Sequence, residues 1–226
     1  MVRLPLPAPN KIKEKMNKLV YGVGINDLGY RTQVYEDVTK NGGKRIQKIV
    51  FLCKYYSSWK HMLERCYSKK YLESYPTYIG TSVCSEWLYA AEFKKWMELQ
   101  NWQGKCLDKD IIVPGNRLYS PDTSAFVLPA TNSFVIASDA CRGDYPIGVH
   151  FSKHTGRYKA YCKNPFSGKQ EHLGCFSTPE EAHEAWRRRK HELAQLVADT
   201  ESDPRIVEAL KKRYSLEEWY KYCNTR

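Results

Sequence analysis

The sequence lacks any long hydrophobic run, and no apolar segment approaches the roughly 20 residues that a membrane-spanning helix requires. The mean hydropathy is −0.63. The opening stretch, MVRLPLPAPNKIKEK, has no apolar region of the kind that a secretory signal carries. We therefore expect a cytoplasmic protein with no membrane partner.

The cysteine pattern lacks the spacing of a metal site. Eight cysteines are scattered along the chain, and none forms a CxxC or CxxH pair. A zinc knuckle depends on such pairs, so we expect no zinc site. Scattered cysteines in a chain without a signal peptide are typical of reduced thiols in a cytoplasm.

Acidic residues are in the minority. The 226 residues include 36 Lys and Arg against 25 Asp and Glu, which gives a formal net charge of +11 and an isoelectric point of about 9.2. This balance favours a polyanionic partner such as nucleic acid, although ordinary solubility charge is an alternative. Hydrophobic residues make up 42% of the chain, which excludes wholesale disorder, and the length fits one or two domains.

The residue pattern predicts an α+β fold in four parts. Residues 1–53 are expected to combine a basic arm at 1–18 with short strands, and residues 54–141 are expected to form helices followed by a hairpin and a helix. Residues 145–200 predict three strands and one helix, and residues 201–226 predict a helical extension that includes a helix at about 204–222.

In the first half, helical spacing puts Trp59, Met62, Leu63 and Cys66 on one face of a helix. The other elements predicted there are strands at 19–25 and 47–53, a helix from Ser85 to about Leu99, a strand at Leu107–Val113, an extended piece at Ala125–Leu128 and a helix from Thr131 to about Cys141.

The clearest alternation lies in the second half, where strands are predicted at about 148–152, 157–163 and 170–176. A helix to about Ala198 follows, and its start carries a capping box between Thr178 and Glu181. Leu173 and Cys175 are expected on the face toward this helix. The opposite face suits phosphates and base edges, with a merely solvated surface as the alternative. Its residues are His150, Arg157, Lys159, Tyr161, Lys163, Gln170 and His172.

Three segments of this half, YPIGVHF (145–151), GRYKAY (156–161) and HLGCFSTPEEAHEAW (172–186), resemble the Apetala/ethylene-response-factor-type DNA-binding domain. The resemblance implies a three-stranded sheet that lies in the major groove of double-stranded DNA, braced by one helix. It assigns the seven residues of the predicted exposed face to DNA contact. Plant members have Arg and Trp where this chain has His150 and His172, so their sequence preference does not transfer.

Four segments of the middle region, WKHMLERCY (59–67), VCSEW (83–87), LDKDI (107–111) and YSPDT (119–123), resemble phage-encoded proteins classed with HNH-type endonucleases. The resemblance implies a hairpin and a helix around Mg²⁺ or another divalent cation, with Asp108 and Asn132 as metal ligands. Lys109 takes the place of the general-base histidine, and Thr123 takes the place of the loop asparagine.

The chain departs from the HNH pattern at the base, because no histidine lies between His61 and His150. A cationic lysine is a poor base unless burial lowers its pKa, and phosphate binding is the alternative role for Lys109. Asp110, directly or through a metal-bound water, is the candidate to replace part of the lost function, and His61 on the first helix is a further candidate.

Three hypotheses therefore stay open. The first is a metal-dependent endonuclease, the second is a catalytically inactive DNA binder such as a regulator or counter-defence protein, and the third is a factor that binds a host protein. If the chain is phage-encoded, each would act in the cytoplasm of the host cell. The sequence does not specify an oligomeric state.

Overall fold

The computed structural model describes residues 19–39, 45–135 and 144–217, and their fold is α+β, as the sequence predicts. The strands are β1 (Gln33–Thr39), β2 (Arg45–Leu52), β3 (Ser82–Val83), β4 (Cys106–Asp108), β5 (Leu118–Tyr119), β6 (Ala125–Val127), β7 (Val149–Ser152), β8 (Arg157–Lys163) and β9 (Gln170–Phe176). The α-helices are α1 (Lys54–Tyr67), α2 (Lys69–Ser74), α3 (Ala90–Glu98), α4 (Pro129–Val135), α5 (Pro179–Ala198) and α6 (Pro204–Lys212). None of the helices in these ranges combines the length and the apolar character needed to cross a bilayer.

The first hydrophobic core forms where α1 and α3 pack together with β3 and β5. The predicted inner face of α1 is confirmed, since Trp59, Met62, Leu63 and Cys66 are all buried there. The indole of Trp59 donates a 2.7 Å hydrogen bond to the backbone carbonyl of Trp87, which satisfies its one polar atom inside the core.

The helix predicted from Ser85 to Leu99 is interrupted, and this corrects the sequence prediction. A 3-10 turn at Glu86–Leu88 is followed by Tyr89 in extended conformation, and Ser85 makes no capping hydrogen bond. The cause is tertiary, because Ile25 exchanges backbone hydrogen bonds with Leu88 and Ala90. The segment around 19–25 is accordingly a turn with isolated bridges and not the strand that its residue types predict.

The strand predicted at Leu107–Val113 is also shorter than expected. β4 ends at Asp108, whose carboxylate accepts hydrogen bonds from the backbone N–H groups of Asp110 (2.8 Å) and Ile111 (2.7 Å). An aspartate that binds the next backbone donors replaces a strand ladder by a turn. Residues 109–117 are therefore a loop between β4 and β5, and β4 pairs with β6 in antiparallel register.

The strands and α5 of the second half follow their prediction closely, but the helix predicted at about 204–222 ends at Lys212, because Tyr214 has a positive φ and the chain turns there. β7, β8 and β9 form an antiparallel sheet in that order, and α5 packs against one face of it. The capping box is confirmed: the Thr178 hydroxyl accepts from the Glu181 N–H at 3.2 Å, and the Glu181 carboxylate accepts from the Thr178 N–H at 3.3 Å. Gly148 lies directly under Trp186, where an added Cβ would stand 2.2 Å from the indole.

The second core takes residues from both sides of the predicted domain boundary between 141 and 145. Its members are Ile111, Ala125, Val127, Phe134 and Val135 from the hairpin and α4, together with Cys162, Trp186, Leu193, Ala194, Val197, Ala198, Ile206 and Leu210 from β8, α5 and α6. The hairpin and the C-terminal sheet are thus parts of one packed body. The predicted arm at 1–18, the last part of the helix predicted to 141 and the chain beyond 217 lie outside the described residues.

Candidate nucleic-acid interface and candidate metal centre

The sheet of β7, β8 and β9 presents an uncovered surface on the side away from α5, which we call the open face. Cross-strand pairing places His150 beside Lys159, and Tyr161 beside His172 with ring centroids 5.1 Å apart. All seven residues predicted for DNA contact lie here, and five of them are exposed while Lys159 and Tyr161 are half-buried. The full set is His150, Ser152, Arg157, Lys159, Tyr161, Lys163, Gln170, His172 and Cys175.

Cys175 on the open face corrects the prediction that it points toward the helix. The pairing of β8 with β9 shifts between Ala160 and Tyr161, so that Leu173 is an extra residue with no partner on β8. Gly174 follows with φ of +135°, a conformation that favours glycine. The bulge reverses the alternation beyond it, so Cys175 is exposed, with its Sγ 3.7 Å from Nε2 of His172.

Glu171, the acidic residue of the three strands, lies on the side of the sheet that faces α5. Glu171 turns inward, where the guanidinium of Arg189 donates to both of its carboxylate oxygens at 2.7 and 3.2 Å. Hydrogen bonds from Arg189 and from the Asn164 amide hold the pKa of Glu171 at about 2. Glu171 therefore stays ionised and anchors β9 to α5.

Four consecutive basic residues on α5, 187–190, mostly make structural contacts within the protein. Arg187 is buried and binds Glu184 and the Tyr214 carbonyl, and Lys190 donates to the Phe134 carbonyl at 2.7 Å. Burial lowers the pKa of Lys190 to about 8. With Arg189 bound to Glu171, only the 67%-exposed Arg188 resembles the solvated charge that a basic run suggests.

The open face is strongly cationic. Between residues 145 and 178 the sequence has five Lys and Arg and a single acid, the inward-facing Glu171. Among the described residues, no ion pair involves Arg157, Lys159 or Lys163. Positive charge that is exposed and not neutralised within the protein is available to an external anion.

The candidate metal centre lies at the turn after β4. One oxygen of Asp108, Oδ1, already accepts the two backbone hydrogen bonds that form this turn. Both oxygens of Asp110 accept from Nζ of Lys109 at 2.7 Å. Burial raises the pKa of Asp110, and the Lys109 ammonium acts in the opposite direction. One oxygen of Asp108 and both oxygens of Asp110 are thus bound within the protein.

Lys109 is the residue that determines the character of this site. Its side chain is only 9% exposed, and its ammonium also donates to the Asn116 carbonyl at 2.8 Å and lies 5.8 Å from the Tyr78 ring centroid. An ammonium that donates all of these bonds is neither a free base nor a free phosphate ligand. Its role in the structure is that of an internal counter-ion for Asp110.

Asn116 is a residue that the sequence reasoning missed. Its amide donates to the carbonyls of Lys109 at 2.9 Å and Leu118 at 2.6 Å, and its Oδ1 accepts from the Leu118 N–H. It therefore holds the loop closed over Lys109. The available signal was the Pro-Gly-Asn turn at 114–116, which indicates a tight reversal but not this contact.

The remaining predicted site residues are Thr123 in the hairpin, Asn132 on α4 and His61 on α1. Thr123 donates to the Leu118 carbonyl at 2.7 Å and lies 2.9 Å from the Ser120 hydroxyl, so it organises the β5–β6 turn. Asn132 is half-buried on α4, a helix that packs against β4. His61 is exposed on α1, away from that helix's buried face.

Glu201, in the connection between α5 and α6, was also missed. Its fully buried side chain accepts from the Leu128 N–H at 3.4 Å and from the Thr131 hydroxyl at 2.5 Å, and it lies 3.9 Å from Nζ of Lys105. A carboxylate at this position stabilises the positive end of α4. Glu201 therefore ties the C-terminal part of the chain to the helix that carries Asn132.

These residues do not fit a divalent metal ion well. Asp108 retains one uncommitted oxygen and Asn132 offers one amide oxygen, whereas Mg²⁺ prefers several oxygen ligands in octahedral geometry. The Lys109 ammonium already supplies the positive charge that pairs with the Asp110 carboxylate. A metal ion would have to compete with this ammonium for that carboxylate. Within the described residues there is no group of three or more His, Cys, Asp or Glu side chains placed to hold a metal.

Comparisons of the chain with protein-family models, with curated proteins and with solved structures found no match.

Proposed function

We propose that this protein binds double-stranded DNA through the open face of its β7–β9 sheet. The observation that carries the proposal is an uncovered sheet face with three cations that make no ion pair within the described residues and with no acid among its members. A face that served only for solubility would be expected to mix both signs of charge. The proposed role places the protein in a cytoplasm, that of the host cell if the chain is phage-encoded.

The dimensions of the sheet support the major groove as the binding site. Strands in a sheet are about 4.8 Å apart, so β7 and β9 are separated by about 10 Å. The major groove of B-form DNA is about 12 Å wide and admits a flat β element, whereas the minor groove is about half that width. The width of the sheet is therefore compatible with the major groove.

The side chains of the open face divide into two chemical groups. Arg157 and Lys163 lie at opposite ends of β8, where they can reach phosphates on the two walls of the groove. His150, Gln170 and His172 carry side chains that can donate and accept hydrogen bonds, which suits base edges. Phosphate contacts would supply affinity and position, and the second group would supply sequence preference.

For the hairpin we propose a scaffold role in place of catalysis. Lys109, Asp110 and Asn116 form a closed set of hydrogen bonds, and the hairpin contributes Ile111, Ala125 and Val127 to the core that supports the sheet. The second hypothesis from the sequence, a catalytically inactive DNA binder, accounts for these contacts better than a metal-dependent endonuclease does.

Two measurements test the proposal. Fluorescence anisotropy with a mixed-sequence duplex should give binding that weakens steeply with salt, and absence of binding at low salt would favour the host-protein hypothesis. A plasmid-nicking assay with Mg²⁺ or Mn²⁺ should leave the plasmid intact. Metal-dependent nicking by the wild type that Asp108→Ala abolishes would restore the endonuclease hypothesis and overturn the scaffold role.

A further inference from the structure

Strands β1 and β2 form a two-stranded antiparallel ribbon that belongs to neither hydrophobic core. The ribbon begins beside the buried Cys53, whose N–H donates to the Thr32 carbonyl at 2.9 Å. Beyond that point most of its residues are exposed, and none of those described is a member of the two cores. Exposed apolar side chains remain on it, including Tyr35, Val38, Ile49, Val50 and Phe51.

An isolated two-stranded ribbon is at best marginally stable in water. Exposed β-branched and aromatic residues beside unpaired strand edges are also a liability for association, which proteins usually limit by covering them. The ribbon therefore has the character of a surface that is completed by another molecule.

The strand register divides the ribbon into two faces. Directly paired residues project from the same side, and successive pairs alternate. One side, which we call the Val34 face, consists of three cross-strand pairs: Val34 with Phe51, Glu36 with Lys48, and Val38 with Ile46. The other side, the Tyr35 face, carries Tyr35 with Ile49 and Asp37 with Gln47.

The Val34 face is the one whose charges complement a second copy of itself. Its central pair, Glu36 with Lys48, joins opposite charges, whereas the Tyr35 face has Asp37 opposite the uncharged Gln47. Phe51 and Val38 on the Val34 face are 51% and 39% exposed, and Val34 and Ile46 are half-buried.

We propose that the Val34 face is the contact between two copies of this chain. A second ribbon can be laid on this face by a two-fold axis parallel to the strands. Each row, that is each cross-strand pair, then faces the same row of the second copy and is complementary to it. That operation puts β1 of one copy over β2 of the other. Glu36 then faces Lys48 of the second copy, while the two apolar rows face one another.

The other way of stacking the two ribbons is electrostatically unfavourable. With the two-fold axis across the strands, β1 would lie over β1, and Glu36 would face its own equivalent. Like charges placed directly opposite are destabilising, whereas opposite charges steer and fix the register. Charge complementarity thus selects one arrangement of the two ribbons.

The size of the face sets the expected strength of the dimer. Seven residues of strand extend about 23 Å, and two strands are about 10 Å wide, so the stack buries on the order of 500 Å² in total. Stable interfaces bury about 1,200–2,000 Å². We therefore expect a reversible dimer whose dissociation constant is micromolar or higher.

The experiment uses the full chain in the absence of DNA, so that its outcome is independent of the proposed function. Sedimentation velocity over a range of protein concentrations at about 0.15 M salt should show a monomer–dimer equilibrium for the wild type. Glu36→Lys and Lys48→Glu each place like charges across the stack and should each weaken dimerisation about tenfold or more. Asp37→Lys makes the same charge change as Glu36→Lys on the Tyr35 face and should leave the equilibrium unchanged.

Mixing the two weakened variants separates an interface effect from a folding effect. Within each variant chain the cross-strand pair stays like-charged, whereas between the two chains every Glu–Lys contact is restored. The mixture should therefore form a heterodimer although neither variant dimerises well alone. A wild type that stays monomeric at its highest soluble concentration would overturn the proposal, as would a mixture that fails to associate or an equal effect of Asp37→Lys.

Discussion

Replacing Arg157 and Lys159 by alanine tests whether the open face binds DNA phosphates. The two side chains lie on β8, and neither has an ion pair among the described residues, so their truncation leaves no buried charge behind. Arg157 is exposed and Lys159 is half-buried. The fold should therefore survive the change, and the effect on binding should come from the two lost charges.

The expected magnitude follows from counterion release. Each phosphate that the protein neutralises contributes about −0.9 to the slope of log affinity against log salt concentration. If Arg157, Lys159 and Lys163 each neutralise one phosphate, their combined slope is about −2.7, and the double variant should retain about −0.9 of it. Between about 50 and 200 mM salt, this contribution weakens binding about 40-fold in the wild type and only about 4-fold in the variant.

The assay is fluorescence anisotropy on one duplex at four or more salt concentrations. The matched control replaces Arg188 and Lys95, which are 67% and 69% exposed on α5 and α3. The control removes the same two charges from the protein as a whole, so it separates a local contact from a general effect of net charge. Circular dichroism on all three proteins checks that the fold is retained.

Two results would show that the open face does not bind DNA phosphates in this way. The first is a double variant that is folded and keeps the wild-type slope, which would mean that these cations do not meet phosphate. The second is a control that loses as much slope as the double variant, which would mean that binding depends on total charge and not on the open face.

Other properties of the fold can be measured without DNA. Lys109→Met should lower the free energy of unfolding by about 1–3 kcal/mol in urea titrations, because it removes the buried ammonium from its carboxylate partner; no loss would argue against the counter-ion role. Gly148→Ala should cost about 2–4 kcal/mol because its Cβ would overlap an indole, whereas Gly156→Ala, also at positive φ but with no atom within 4 Å of an added Cβ, should cost about 1–2 kcal/mol. Glu171 has a folded-state pKa of about 2, below its ordinary value near 4.5, so its stabilisation is present above pH 4.5 and is lost as the pH falls toward 2. Thermal melts of Glu171→Gln should therefore depend less on pH in that window than the wild type, and Glu180→Gln should behave like the wild type.

Local patterns in the sequence were sufficient to predict much of the second half of the fold. Alternation in 157–163 places Ala160 and Cys162 inside, and both are buried. The Thr-Pro-Glu-Glu start of α5 fixes its capping box from residues within one turn. These features depend on near neighbours along the chain, so the sequence carries them directly.

The features that the sequence did not reveal depend on contacts between distant segments. The break at Tyr89 arises from pairing with Ile25, and the inversion of Cys175 arises from a bulge opposite β8. The state of Lys109 depends on a loop that returns Asn116 to it. Charge and motif position predicted a chemical role for Lys109, but only its three-dimensional surroundings show that its donors are already used.

The shared second core limits how this protein can be divided. A fragment that starts at residue 145 would contain the whole β7–β9 sheet and α5, yet it would lose the apolar side chains that Ile111, Val127 and Phe134 contribute beneath them. It would also leave Glu201 without the helix end that it neutralises. A transplantable version of the sheet therefore has to carry the segment from β4 to α4 along with it, so the smallest portable unit extends across the boundary that the sequence motifs suggest.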